Sequence, residues 1–279
     1  MGSENNNGGN PLVPMPGKII KIVEESPDVK TFHIATEQGK PFTPKPGQLG
    51  MLSLPGVGEA MFSITNQGDD NIQMAIKRVG VFTEAIHDAS VGQPVTIRGP
   101  YGNCFPLDKF KGKDILFIGG GIGLAPVRSM IGYSMKNRDD FGKITILYGG
   151  RSPEELVFKE DLFENWPKAK DTTVYVTVDK GDDDWKGHVG FVPAYVQELN
   201  FSPKSPQIVL LCGPPVMIKF TLQTLSKLGY KDDQIVTTLE MRMKCGIGKC
   251  GRCNIGSKFI CLDGPVFTLE ELQDLPPEW

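Results

Sequence analysis

The pattern of apolar and polar residues changes about two fifths of the way along the chain. Up to residue 108, short apolar runs alternate with Gly, Pro, Asp and Asn, which is typical of antiparallel β-structure. A single helix is predicted over residues 82–89 of this part. The predicted strands cover residues 18–23, 31–34, 50–54, 60–65, 72–77 and 94–98. Residues 17–108 are therefore expected to form a small antiparallel barrel or sandwich.

Beyond residue 108, continuous apolar runs alternate with helical patterns. This alternation indicates βαβ units on a parallel sheet over residues 109–239. The predicted strands cover residues 115–118, 144–148, 173–178 and 208–211. One helix is predicted after the first strand and ends near residue 134, and three more cover residues 153–163, 192–199 and 215–228. Residues 240–279 break this rhythm and hold four of the six cysteines. They form a third, loop-rich segment.

Composition and charge exclude several classes of protein. The 30 basic and 33 acidic residues nearly cancel, so nucleic acid is not expected as a partner. No apolar run is long enough for a membrane span, and the chain start lacks the pattern of a signal peptide. We therefore expect a cytoplasmic protein whose cysteines are metal ligands or catalytic groups before disulfides. Residues 1–16, rich in Asn and Gly, are predicted to be a flexible tail.

Four cysteines near the end of the chain have the spacing C-x4-C-x2-C-x7-C. They are Cys245, Cys250, Cys253 and Cys261. The first three reproduce the plant-type ferredoxin spacing of a [2Fe–2S] cluster, and the glycines between them let a loop wrap four thiolates. A structural zinc site usually shows two C-x2-C pairs, whereas only one is present here. The spacing favours an iron–sulfur cluster, with zinc, disulfides or free thiols as alternatives.

Two glycine corners follow predicted strands and precede predicted helices. Glycines in such a corner let the backbone approach a pyrophosphate, which the helix N-terminus also attracts. On chemistry alone, Cys212 could equally be a small buried residue. The candidate nucleotide contacts are Gly119, Gly120, Gly121, Ile122 and Gly123 in the first corner, and Cys212, Gly213 and Pro214 in the second.

Together these stretches resemble the ferredoxin–NADP reductase superfamily, and more closely its iron–sulfur flavoprotein branch. The matching residues are 98–103, 119–126, 212–215 and 240–253, and the resemblance extends over about 17–270. That branch includes electron-transfer subunits of dihydroorotate dehydrogenase, sulfhydrogenase and anaerobic sulfite reductase. The resemblance implies an N-terminal FAD-binding barrel, an α/β domain that binds NAD or NADP, and a C-terminal [2Fe–2S] loop.

The resemblance also implies a flavin site on the barrel. Ser63 would hydrogen-bond near flavin N5, and Thr83 would cap a short helix that faces phosphate. The family's Arg-x-Tyr-Ser stretch is Ala60-Met61-Phe62-Ser63 here, so the arginine is absent and Phe62 replaces the tyrosine. Phe62 could alternatively be a residue of the barrel core. Arg78 could supply the missing charge. The implied flavin contacts are Phe62, Ser63, Ile64, Lys77, Arg78, Val79, Gly80 and Thr83.

The implied chemistry needs three redox groups. Nicotinamide passes a hydride, a cluster passes single electrons, and flavin can do both. The candidate catalytic residues are Ser63, Cys212 and Glu240. Arg151 and Asp179 each follow a predicted strand. Arg151 would suit the 2′-phosphate of NADP, whereas Asp179 would suit the free 2′-hydroxyl of NAD. Asp179 gives a weak preference for NAD.

The expected function is that of an electron-transfer subunit. Such a subunit passes electrons, in either direction, between NAD(P)H and a catalytic or further iron–sulfur subunit, for example of a hydrogenase or of a sulfur or sulfite reductase. Two alternatives remain. One is a stand-alone NAD(P)H reductase, and the other is a non-catalytic module that binds zinc and a nucleotide.

Overall fold

The computed structural model describes residues 10–203 and 207–276. Residues 1–9 of the predicted flexible tail lie outside the described residues. Within the described part, the strands form two seven-stranded sheets and one two-stranded hairpin. The expected fold class, an antiparallel barrel followed by an α/β unit, is confirmed.

The first sheet is antiparallel and contains all six strands predicted for it. Its strand order is β4-β3-β7-β1-β2-β6-β5. The elements are β1 (Met15–Ser26), β2 (Val29–Ala35), β3 (Leu49–Leu54), β4 (Gly58–Ser63), β5 (Asn66–Gln67), β6 (Ile72–Lys77), α1 (Val81–His87) and β7 (Pro94–Tyr101). Met15 pairs with Ile97, so the sheet takes up two residues that the sequence placed in the flexible tail. Alternate side chains such as Phe32, Ile72 and Ile97 are fully buried in its core.

The second sheet has the order β11-β10-β9-β8-β12-β13-β16 and is parallel except for β16. The elements of this part of the chain, including the separate hairpin of β14 and β15, are α2 (Leu107–Phe110), β8 (Asp114–Gly120), α3 (Leu124–Lys136), β9 (Ile144–Gly150), β10 (Thr172–Val178), β11 (His188–Val189), α4 (Val192–Glu198), β12 (Gln207–Cys212), α5 (Pro215–Lys227), β13 (Ile235–Thr238), β14 (Asn254–Ile255), β15 (Lys258–Phe259), β16 (Val266–Thr268) and α6 (Leu269–Leu272). Its central strands read as continuous apolar runs because both faces are covered.

The helix predicted over residues 153–163 is wrong along most of its length. The backbone turns there, and helical structure begins at residue 159 and includes a π-helix over Asp161–Asn165. Phe158 has a φ of 56°, which a right-handed helix excludes. Its N–H donates to Glu25 of β1 at 2.8 Å, and the guanidinium of Arg128 lies 4.5 Å from its ring centroid. Contacts between the two sheets therefore override the local helical pattern.

The cysteine segment is attached to both sheets. It leaves the second sheet after β13 and returns to it as β16, which pairs with β13. Between these strands it forms the β14–β15 hairpin. Met243 and Ile247 of the segment pack against Met51 and Tyr101 on the first sheet. The segment thus lies across the junction of the two sheets.

Candidate functional site

The cysteine loop directs backbone N–H groups at sulfur. The N–H groups of Ile247 and Lys249 donate to Cys245 Sγ at 3.5 and 3.4 Å, and that of Gly248 donates to Cys261 Sγ at 3.2 Å. Gly248 has a φ of 70°, a conformation that favours glycine. Donors placed in this way stabilise thiolates, the form of cysteine that binds metal.

The four thiols are arranged as two pairs. Cys245 hydrogen-bonds with Cys250, and Cys253 with Cys261. Burial opposes ionisation of Cys245, but the surrounding N–H donors lower the pKa of its thiol to about 6. Burial, reinforced by Cys253, raises the pKa of Cys261 to about 12. All six cysteines of the chain are free. Among the described residues, no three Cys, His, Asp or Glu side chains are close enough to hold one metal ion.

Arg98 of β7 holds the first cysteine of the loop. Its side chain is only 8% exposed and pairs with Glu59 Oε1 at 2.8 Å. Its guanidinium also donates to the carbonyl oxygens of Cys245 at 3.3 Å and Lys244 at 3.2 Å. The sequence identified residues 98–103 only as part of a resemblance and missed this role. The available signal was the single charged residue, Arg98, in a predicted strand.

The rest of that stretch holds both ends of the cysteine segment. Asn103 Nδ2 donates to the carbonyl oxygens of Asp263 at 2.8 Å and Val266 at 2.7 Å, and Asn103 Oδ1 accepts from Val266 N at 2.9 Å. The Tyr101 ring packs so closely on Gly246 that a Cβ there would lie 2.9 Å from it. The barrel strand β7 and its extension therefore fix the position of the loop.

The two predicted glycine corners meet at the carboxyl edge of the parallel sheet. Cys212 of β12 is in register with Gly119 of β8. A Cβ on Gly123 would lie 2.5 Å from Gly213 Cα and 2.7 Å from the Cys212 carbonyl oxygen. The corners can approach this closely only because both carry glycine. Gly120, Gly121, Ile122 and Pro214 belong to the same two corners.

Cys212 is a buried, neutral thiol at this edge. Burial raises its pKa to about 12, although the Thr238 hydroxyl donates to its Sγ at 3.1 Å. Glu240 lies close enough for its charge to raise the same pKa. Partial desolvation also raises the pKa of the Glu240 carboxyl, although the residue as a whole is exposed, and no described residue donates a hydrogen bond to it. The structure thus brings two of the three candidate catalytic residues together, and it adds Thr238, which the sequence did not reveal.

The candidate flavin strand presents its residues on opposite faces. Phe62 packs with Phe82 of α1, at 5.9 Å between ring centroids, and against the barrel core. Ser63 pairs with Leu49, which belongs to the apolar cluster that Met243 and Ile247 complete. Directly paired residues share one face of a sheet. Ser63 is therefore on the barrel face that receives the cysteine loop, whereas Phe62 is partly a core residue. Ile64 follows β4 and is buried.

The corner between β6 and α1 is tied together by Thr83. Its hydroxyl accepts hydrogen bonds from Val79 N at 2.8 Å and Gly80 N at 2.9 Å. The predicted cap differs in detail, because Gly80 occupies the N-cap position and Thr83 is the third helical residue. Two basic side chains flank this corner. Lys77 pairs with Asp28 at 3.0 Å, and Arg78, which is 49% exposed, pairs with Asp88 at 3.5 Å.

Arg151 and Asp179 follow the neighbouring parallel strands β9 and β10. The Nε and Nη2 atoms of Arg151 donate to Glu155 Oε2 at 2.6 and 2.5 Å. Burial raises the pKa of Asp179, and the charge of Arg151 partly opposes this shift. A carboxylate thus already engages the basic group of this edge.

The two sheets, with the glycine corners at the carboxyl edge of the parallel one, define an oxidoreductase with the ferredoxin–NADP reductase fold. The model of the oxidoreductase NAD-binding domain matches residues 117–223. The model of the iron–sulfur cluster binding domain of dihydroorotate dehydrogenase B matches residues 240–273. None of the described helices is long and apolar enough to cross a membrane.

Known proteins share this organisation along nearly their whole length. The chain is 37% identical to the sulfhydrogenase 1 gamma subunit of Pyrococcus furiosus, covering 93% of this chain and 92% of that protein. It is 34% identical to the probable dihydroorotate dehydrogenase B electron transfer subunit of Methanocaldococcus jannaschii, covering 92% and 90%. The chain belongs to the family of these sulfhydrogenase gamma and dihydroorotate dehydrogenase B electron-transfer subunits.

Solved structures confirm the fold. A chain of an NADH-dependent reduced ferredoxin–NADP oxidoreductase superimposes with a TM-score of 0.76, at 24% identity, over 96% of this chain and 91% of that one. A ferredoxin–NADP reductase from Neisseria gonorrhoeae, solved with bound FAD and NADP, gives 0.66 at 21% identity over 80% and 97%. The resemblance predicted from residues 98–103, 119–126, 212–215 and 240–253 is thereby confirmed.

Proposed function

We propose that this protein passes electrons between NAD(P)H and a partner catalytic or further iron–sulfur subunit through FAD and a [2Fe–2S] cluster. The observation that carries the proposal is that the cysteine loop lies against the barrel. Arg98 holds Cys245 there, on the face that also bears Ser63. A flavin contacted by Ser63 and a cluster held by Cys245 would be close neighbours, as electron transfer requires.

The cysteine arrangement fits a two-iron cluster. Cys245 and Cys250 would hold one iron, and Cys253 and Cys261 the other, since the thiols lie in these pairs. A zinc ion needs four ligands around one point, which this arrangement does not supply. Backbone donors at two of the sulfurs would stabilise the cluster's negative charge.

The flavin and nicotinamide would lie between the barrel and the glycine corners. When bound, a flavin supplies the change from two-electron hydride to single electrons. Ser63 would orient it near N5, and the touching corners at Gly123 and Gly213 would receive the nucleotide pyrophosphate. The neutral thiol of Cys212 would face nicotinamide without adding charge. Partial desolvation raises the pKa of the nearby Glu240 carboxyl, which would favour keeping a proton beside the nicotinamide.

The cofactor preferences follow from charged side chains at two edges. The phosphate groups of FAD would bind Lys77 and Arg78 in place of the carboxylates that these side chains now pair with. They would also contact the corner between β6 and α1, which Thr83 holds in place. Arg151 is engaged by Glu155, and the nearby Asp179 suits a ribose hydroxyl better than a phosphate, which supports NAD over NADP.

We also keep the predicted organisation as part of this proposal. It comprises a tail over 1–16, the last two residues of which join β1, an FAD-binding barrel over 17–108, a nucleotide domain over 109–239 and a cluster segment over 240–279. A reducing cytoplasmic location agrees with six free cysteines.

The proposal is tested by purifying the protein without oxygen and quantifying iron, zinc and flavin on one sample. We expect about two irons per chain, a flavin absorption band and bleaching by NADH. Cys250→Ser should abolish the cluster signal, and Cys104→Ser, a matched change outside the loop, should retain it. Zinc in place of iron, or folded protein without flavin, would refute the three-group pathway.

A further inference from the structure

The middle of the cysteine segment, between Glu240 and Asp263, carries charge of one sign. Residues 241–262 contain five basic residues and no Asp or Glu, although the whole chain has a net charge of -3. The rest of the chain therefore carries a net charge of -8. All five side chains are exposed, and none pairs with an acidic group among the described residues. This set, here called the basic rim, consists of Arg242, Lys244, Lys249, Arg252 and Lys258.

An apolar spot and an exposed ligand lie within the same segment. Cys253 and Cys261 are each 1% exposed, whereas Cys250 is exposed to solvent. Leu262 is 47% exposed and packs over Gly248, where an added Cβ would lie 3.0 Å from Leu262 Cδ2. The cluster ligands thus reach the surface at Cys250, in a segment that offers a large apolar contact and five cations.

We propose that the basic rim, together with Cys250 and Leu262, docks a redox protein whose own electron-transfer centre is surrounded by acidic residues. The proposal rests on the function proposed above, because it assumes that a cluster lies behind Cys250. An oxidised [2Fe–2S] centre with four thiolates carries a charge of about -2, so about three positive charges would remain uncompensated. Such an excess attracts an acidic face and orients it before contact.

A compact protein fits this surface better than an extended polyanion. A nucleic acid or a membrane reaches well beyond one loop, and the net charge of -8 on the rest of the chain repels it. A protein with a small acidic footprint meets the rim alone. Its own apolar residues can cover Leu262, which brings its redox centre close to Cys250.

The test measures binding of the cluster-loaded protein to two small redox proteins of opposite charge. An acidic ferredoxin is the probe, and a basic cytochrome c of similar size is the control. The dissociation constant for the ferredoxin should rise at least about tenfold between about 50 mM and about 500 mM salt. The double variant Arg252→Glu, Lys258→Glu should weaken binding by a similar factor at low salt, and the Gln versions by less.

A matched pair of reversals at the opposite edge of the parallel sheet controls for net charge. Lys136→Glu and Lys227→Glu lie at the C-terminal ends of α3 and α5, away from the strand ends that lead to the loop. They should leave ferredoxin binding within about twofold of the wild type. Iron and flavin content and NADH bleaching, measured on each sample, show whether the cofactors are intact.

Three outcomes would overturn the docking surface in protein that retains iron and flavin. They are equal binding of both redox proteins, equal losses from the two pairs of reversals, and tighter binding to a DNA duplex or to phosphatidylglycerol vesicles than to ferredoxin. Protein that lacks iron or flavin would instead refute the proposed function itself. The two failures are therefore distinguishable.

Discussion

The guanidinium of Arg98 donates a hydrogen bond to the carbonyl oxygen of Cys245 at 3.3 Å, across 147 residues of sequence. Arg98 belongs to the barrel, and Cys245 is the first cysteine of the loop. A carbonyl oxygen held in this way fixes the backbone from which the thiol projects. The barrel thereby sets the position of the predicted cluster ligand, and four predictions follow from this and related contacts.

Removing the guanidinium should destabilise the protein and loosen the loop. Arg98→Gln leaves Glu59 without its partner, so we expect unfolding to become easier by about 2–3 kcal/mol, less than for a fully buried pair because Glu59 is partly hydrated. Urea unfolding and the rate of iron loss measure both effects. Lys168→Gln breaks a surface pair with Glu164 and should cost below about 0.5 kcal/mol. Equal costs for the two variants would contradict the role of Arg98.

Freeing Arg151 should shift the nucleotide preference toward NADPH. Glu155→Gln removes the carboxylate that accepts both hydrogen bonds of Arg151. A released guanidinium can pair with a 2′-phosphate, so the ratio of kcat/KM for NADPH to that for NADH should rise about five- to tenfold. Flavin bleaching rates with each nucleotide give this ratio. Glu154→Gln removes one nearby charge without touching Arg151 and should leave the ratio unchanged. A shift in both variants would point to net charge alone.

A methyl group between the glycine corners should destabilise the protein. In Gly123→Ala the new Cβ would meet backbone atoms of Cys212 and Gly213, which cannot move aside without separating β8 from β12. We expect a loss of about 2–3 kcal/mol in thermal or urea unfolding. Gly80→Ala has open space and an extended backbone, so it should change stability by less than about 0.5 kcal/mol. A tolerated Gly123→Ala would mean that the corners are not rigid.

The stability of the protein should decrease as the pH rises, and Glu240 should account for part of this decrease. Partial desolvation raises the pKa of this carboxyl above 4.5, so the folded state holds the proton more tightly than the unfolded chain, but the effect is small because the residue is otherwise exposed. The stabilisation is present below pH 4.5 and is lost as the pH rises through the raised pKa. Glu240→Gln should therefore raise the Tm slightly at pH 7 and leave it nearly unchanged at pH 4. Glu37→Gln removes a charge elsewhere on the surface and should shift neither, and a Glu240→Gln that lowers the Tm at pH 7 would refute the desolvation argument.

Local patterns predicted the elements whose cause is local. The glycine corner at residues 119–123 was found because an apolar run precedes it, and the six barrel strands were found because Gly, Pro, Asp and Asn separate their short apolar runs. Arg98, Asn103 and Thr238 were missed because their partners lie far along the chain, and only folding brings them together. Phe158 shows the same limit, since its positive φ follows from contacts with Glu25 and Arg128.

The double attachment of the cysteine segment has a mechanical consequence. One end of its loop hangs on Arg98 of the barrel, and its return strand β16 is part of the parallel sheet. The segment therefore restricts rotation of the barrel against the parallel sheet. Oxidative loss of a cluster in this loop would weaken this restriction. The loop that would hold the cluster thus also couples the positions of the two sheets.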